Sequence, residues 1–165
     1  MTQARTRMSV RLINATLRQV YRAGYWLLWA QALLTRPHGR GVKGLVTNGG
    51  ALLFVRHTYG PREWELPGGG QRRHESPPQA ISRELREELG LEVTDPVALG
   101  TFNGPHQYAN NVVTYFSVAL SSRAVRPDPI EIAEVRWCDP ADPPRPLGWY
   151  AREALRRNGA AGATM

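Results

Sequence analysis

Residues 8–34 carry one long helical pattern. Ile13, Leu17, Val20, Gly24, Leu27, Gln31 and Leu34 recur at spacings of three and four and form a stripe. Arg11, Arg18, Arg22, Tyr25 and Trp29 fall on another face, and after Gly24 the segment turns apolar nearly all round. Residues 35–41 read as a linker. Two apolar runs, 42–47 and 51–57, flank Asn48-Gly49-Gly50 and predict a β-hairpin. A second helix is expected over 77–89, with Ile81, Leu85 and Leu89 as its apolar stripe. Ser76 suits its N-cap, Pro77 its first position, and Gly90 its C-terminal stop. Strands are expected at 93–102, 112–120 and 135–138, and a closing helix at 148–157. Strands before and after one central helix, plus a terminal helix, make an α/β fold.

This pattern divides the chain into a basic amphipathic helix and linker (1–41), one globular domain (42–157), and a Gly/Ala-rich tail read as disordered (158–165). Three readings compete for the amino-terminal helix. It packs on the domain or across a homodimer; it lies on a membrane surface, with Trp and Tyr at the boundary; or it is a cleaved targeting segment, since Ala30-Gln31-Ala32 follows an apolar stretch. A spanning helix is not expected, because the apolar run 23–34 is too short for a bilayer and contains Gln31.

Charge changes the picture. The chain has a net charge of +7, but residues 1–62 hold ten Arg plus Lys and no acid, while the remaining 103 hold 11 basic and 14 acidic residues. The basic character therefore belongs to the amino-terminal part, and no specific nucleic-acid partner is expected. Hydrophobic content of 42% suffices for one core. The single cysteine, Cys138, excludes a disulfide framework and a cysteine-rich zinc site. The expected location is the cytoplasm, peripheral to a membrane if the first helix binds one.

The densest chemistry lies on the 77–89 helix. Glu84, Glu87 and Glu88 stand at i, i+3 and i+4 and share an arc next to the apolar stripe. Like charges at that spacing cost a few tenths of a kcal/mol. A hard divalent cation would relieve the repulsion and prefers oxygen ligands. The alternative is a solvated acidic face held by ion pairs such as Arg83 to Glu87.

The surrounding residues weigh on that choice. Residues 69–91 resemble the Nudix signature: Gly, five residues, Glu, seven residues, Arg-Glu, an aliphatic residue, any residue, Glu-Glu, any residue, Gly, an aliphatic residue. The fixed positions here are Gly69, Glu75, Arg83, Glu84, Leu85, Glu87, Glu88, Gly90 and Leu91, and Trp64-Glu65-Leu66-Pro67-Gly68 looks like the family's lead-in. The resemblance implies an α/β/α sandwich with a mixed sheet over 42–157. It implies a Mg²⁺-dependent pyrophosphohydrolase, with Mn²⁺ as a second candidate ion, that cleaves a phosphoanhydride in a nucleoside diphosphate linked to another moiety.

By position in the signature, Glu84, Glu87 and Glu88 are the expected metal ligands, joined by the Gly68 carbonyl, with Arg83 and Glu75 orienting them. The general base is Glu84 or Glu131. Arg56 and His57, at a strand end, are candidates for substrate phosphates, and His106 and Tyr108 for other substrate contacts. Glu134 reads as a surface or anchoring residue. Tyr108 and Pro105 sit near positions that mark different substrate subgroups, so neither selects a substrate. A non-catalytic nucleotide-binding sensor on the same fold is the alternative function.

Overall fold

The computed structural model describes residues 14–21, 23–25, 27, 39–106 and 109–162. Its strands are β1 (Arg40–Asn48), β2 (Ala51–His57), β3 (Val97–His106), β4 (Ala109–Ala119) and β5 (Ile132–Cys138). Its helices in the domain are α1 (Pro77–Leu89) and α2 (Trp149–Gly162). The strands form one mixed sheet in the order β3-β4-β1-β2-β5. β1 and β4 are parallel, and the other pairs are antiparallel.

Alternation along the strands builds two cores. Leu53 and Val55 of β2 join Val42, Val46, Ile81, Leu85 and Leu89 on the α1 face. Leu52 and Phe54, one step out of phase, join Leu45, Tyr115, Tyr150 and Ala151 on the α2 face. A strand buried on both faces has no polar alternation, which is why 51–55 reads as a continuous apolar run. Each fully buried Leu or Phe contributes roughly 1.5–3 kcal/mol of transfer free energy. The result is the expected α/β/α sandwich.

α1 keeps its expected bounds. The Gln79 side chain accepts hydrogen bonds from the Ser76 N–H and hydroxyl, both at 2.9 Å. Gly90 ends the helix in a left-handed conformation at φ 65°.

Other boundaries move, each for a tertiary reason. β1 begins at Arg40, inside the expected linker, because Arg40, Gly41 and Val42 pair with Val112, Val113 and Thr114. β3 runs from 97 to 106 rather than 93 to 102. Pro96 cannot donate to a ladder, so pairing starts after it, and Val93 packs against the α1 core from a loop. β4 starts at 109, and β5 starts at 132, opposite His57. α2 continues through Gly162 instead of stopping at 157. That part of the expected tail, 158–162, therefore extends α2, although Asn158, Gly159 and Gly162 are weak helix formers.

The amino-terminal helix docks with an unexpected face. Among its described residues, Arg18 Nε donates to the Pro129 carbonyl at 2.8 Å, and the rings of Tyr21 and Tyr25 lie 6.3 and 5.7 Å from Tyr59. Leu17, Val20 and Leu27, members of the expected apolar stripe, are 36%, 60% and 72% exposed. The described contacts to the domain come from Arg18, Tyr21 and Tyr25, with Tyr21 itself 42% exposed, and Val20 and Leu27 face outward most. No described helix is long and apolar enough to cross a membrane.

Candidate active site

The site starts where β1 and β2 part. They pair only beside their turn, at Thr47–Leu52 and Asn48–Ala51. The loop 65–70 fills the gap that follows. Gly44 N and Val42 N donate to the Pro67 and Gly69 carbonyls at 2.9 Å, and Glu65 bridges Val55 of β2. Gly68 takes φ 120°, and a Cβ there would stand 2.4 Å from the Val42 carbonyl oxygen, so the close approach requires glycine.

α1 sets its carboxylates against this loop. Glu88 is 2% exposed, and its Oε2 accepts the Gly68 N–H at 2.8 Å. Burial pushes its pKa up to about 7, with Lys43 and the Gly68 N–H acting in the opposite direction. A Cβ at Gly69 would lie 2.9 Å from the Glu84 carboxyl carbon, so Glu84 also abuts the loop.

Arg83, almost fully buried, ties the cluster together. Its Nε and Nη2 donate to Glu75 at 2.8 and 3.0 Å, and Nη2 also reaches the Gly70 carbonyl at 2.8 Å. Its Nη1 donates to Glu84 at 2.7 Å and Glu87 at 2.9 Å. The hydrogen bonds from Arg83 lower the Glu75 pKa to about 2. Thus the Arg83–Glu87 ion pair exists, but the cluster is no solvated face, because Glu88 and Arg83 are buried.

The expected ligands Glu84, Glu87, Glu88 and Gly68 border one cavity of about 600 Å³. Among the described residues, no three His, Cys, Asp or Glu side chains converge as a metal cage. The physical reason is visible: Arg83 engages Glu84 and Glu87, and Arg72 also donates to Glu87 at 3.1 Å. The donor set nevertheless fits a hard divalent cation, being carboxylate and carbonyl oxygen. A protein cation already lies against it: Lys43 Nζ donates to the Gly68 carbonyl at 2.7 Å and the Leu66 carbonyl at 2.9 Å.

The remaining candidates divide. Glu131 lines the same cavity and is half-buried. Burial raises its pKa, and a hydrogen bond from Tyr21 opposes the rise. His57 lines the cavity too, with Nε2 4.0 Å from Glu88 Oε1 and its ring stacked on Tyr59 at 5.1 Å. Burial, then Lys43, lowers its pKa to about 3, so His57 is a neutral imidazole and adds no charge for phosphate.

Arg56 does not line the cavity. It pairs with Glu134 of β5 and sits 5.2 Å over the Trp64 ring. Adjacent strand residues point to opposite faces, so His57 and Arg56 could not both face the site. Glu134 is the anchor of that pair. His106 ends β3, and Tyr108 lies outside the described residues.

Sequence reasoning missed Lys43, Tyr59 and Glu65. Lys43 had one signal, as the sole lysine of an arginine-rich chain in a strand facing the glycine loop. Glu65 is half-buried and accepts the Ala151 N–H at 3.0 Å, which fixes the start of α2.

The sandwich, glycine loop and carboxylate helix define the class, and comparison with known proteins agrees. The NUDIX domain family model matches residues 37–157. An RNA pyrophosphohydrolase of Cellvibrio japonicus is 42% identical over 64 residues, spanning 39% of this chain and 38% of that enzyme. The chain therefore matches well under half the length of that relative. A Mycobacterium tuberculosis protein named "Putative 8-oxo-dGTP diphosphatase 2" is 31% identical over 129 residues, 73% of this chain and 91% of that one. The crystal structure of a MutT NUDIX hydrolase from Burkholderia pseudomallei superposes with a TM-score of 0.67 at 25% identity, covering 73% of this chain and 96% of that chain. The chain belongs to the NUDIX family.

Proposed function

We propose that the protein is a divalent-metal-dependent pyrophosphohydrolase that cleaves a phosphoanhydride in a nucleoside diphosphate linked to another moiety. One observation carries this reading: the Glu88 carboxylate, buried at the glycine loop in the cavity shared with Glu84, Glu87 and Lys43. Burying a carboxylate is costly, and a bound cation is the natural compensation. Glu84, Glu87, Glu88 and the Gly68 carbonyl would hold Mg²⁺, or Mn²⁺ in its place. When bound, the metal neutralises charge on phosphate oxygens and lowers the pKa of water.

The chain's own residues supply the rest. Arg83 and Glu75 hold the carboxylate helix against the glycine loop. Lys43 offers fixed positive charge to a phosphate, and His57 a neutral hydrogen-bonding ring. Glu131 or Glu84 accepts the proton of the attacking water, and burial makes Glu131 a stronger base than a free carboxylate. His106, the last residue of β3, and Tyr108 remain candidates for further substrate contacts.

The test is phosphate release with Mg²⁺ and with Mn²⁺ over nucleotide sugars, dinucleotides, nucleoside triphosphates including oxidised ones, coenzyme A, and capped or triphosphorylated RNA. Metal-dependent turnover abolished by chelation is expected. Tight nucleotide binding without turnover would instead support the sensor reading.

A cytoplasmic location accords with the proposed nucleotide substrates. The outward-facing Leu17, Val20 and Leu27 support a contact through the first helix, with a second copy or a membrane surface. Solution mass and liposome flotation separate these, and retention of residues 1–34 in the mature chain tests the targeting reading.

A further inference from the structure

We propose that the amino-terminal helix is part of the active site, a clamp in which Tyr21 positions Glu131 and Arg18 fixes the loop that carries it. This rests on the hydrolase reading above, with Glu131 at the reacting water.

Two loops meet beneath the helix. Residues 58–61 follow β2, and residues 127–131 precede β5. They are joined by the Thr58 N–H, which donates to the Glu131 carbonyl at 2.9 Å. The helix contacts both. Tyr21 and Tyr25 pack on Tyr59, and a Cβ at Gly60 would meet the Tyr25 ring at 3.0 Å. Arg18 bonds the Pro129 carbonyl across 111 residues of sequence, and the Tyr21 hydroxyl donates to the Glu131 carboxylate. Tyr25, Tyr59 and Glu131 all line the cavity that holds Glu84 and Glu88.

The loop backbone is braced from two sides, by Arg18 at the Pro129 carbonyl and by its own turn. Ile130 N and Ile132 N bond Asp128 at 2.7 and 2.8 Å, which sets the turn into β5. The side chain is another matter. It faces like charge on Asp128, Glu84 and Glu87, which favours swinging it away from the cluster. It also has several rotamers to lose. A phenol hydroxyl holds such a carboxylate in place without neutralising it, as an arginine would. Tyrosine has few rotamers, and here its ring is held against Tyr59.

The test uses full-length Tyr21→Phe, which keeps the ring and deletes the hydroxyl, and Arg18→Ala. With any substrate turned over in the panel, Tyr21→Phe should lower kcat about tenfold, the loss of one hydrogen bond to a charged group. KM and the Mg²⁺ concentration for half-activation should stay within about twofold. On a Glu131→Ala background the Tyr21→Phe change should cost nothing further, because its partner is gone. Hydrogen exchange of amides 128 and 130–132 should quicken in Arg18→Ala. Wild-type kcat in Tyr21→Phe, additive losses in the double variant, or unchanged exchange at 128 and 130–132 in Arg18→Ala overturns the clamp. A wild-type chain that turns over nothing in the panel sinks the hydrolase reading instead, and the exchange comparison then decides the clamp alone.

Discussion

Replacing Glu88 with Gln should stabilise the metal-free protein at pH 8 and leave its stability unchanged at pH 4. The folded pKa of Glu88 is raised from 4.5 to about 7, mainly by burial. Below pH 4.5 the group is protonated in both states, and no penalty exists. Between 4.5 and 7 the unfolded chain releases its proton while the folded chain keeps it, so stability falls as pH rises. Above 7 the folded protein carries the full penalty. That interval, at about 1.4 kcal/mol per pH unit, sets a ceiling of about 3 kcal/mol. Gln keeps the acceptor oxygen for the Gly68 N–H and removes the charge. Thermal melts with EDTA at intervals from pH 4 to 8 should show the variant overtaking wild type by up to roughly 10 °C at the alkaline end. Added Mg²⁺ should then reverse the order, because wild type gains binding free energy that the variant gives up. A stability difference that ignores pH, or a variant less stable than wild type at pH 8, refutes the account of Glu88 as an uncompensated buried acid.

Glu87→Gln should keep the melting curve and cut kcat on the order of 10²-fold, because neutralisation of transition-state charge is lost; near-normal turnover would remove it from the metal set. If Glu131 is the base, Glu131→Gln lowers kcat with little change in metal affinity, whereas Glu84→Gln lowers both; isothermal titration with Mn²⁺ beside steady-state kinetics separates them. Gly148→Ala should destabilise by about 1–2 kcal/mol in thermal melts, since its Cβ would fall 1.8 Å from Glu65 Oε1 and dislodge the carboxylate at the start of α2; an unshifted melting temperature contradicts that. Deleting residues 1–34 should leave Mg²⁺ binding intact, since Glu84, Glu87, Glu88 and Gly68 lie in 42–157.

Local chemistry determined what the sequence could reveal. Ser76, Pro77 and Gly90 punctuate α1 from within a few residues, so its bounds were legible without tertiary knowledge. The same holds for the hairpin turn at Asn48-Gly49-Gly50 and for the carboxylate spacing of Glu84, Glu87 and Glu88. Tertiary structure decided what depends on partners distant in sequence. β1 starts at Arg40 only because β4 lies beside it. Whether His57 or Arg56 faces the cavity depends on a strand's phase relative to the sheet, which residue type does not record. Lys43 reaches the Gly68 carbonyl because β1 and β2 splay and the 65–70 loop enters between them. The docking face of the first helix was the largest surprise. Periodicity identified an apolar stripe to be covered by the domain, a second copy or a membrane surface, and the contacts to Tyr59, Pro129 and Glu131 come instead from Arg18, Tyr21 and Tyr25. A hydrophobic pattern reports which surface avoids water, not which surface finds a complementary partner, and only the folded arrangement of two loops supplied that partner.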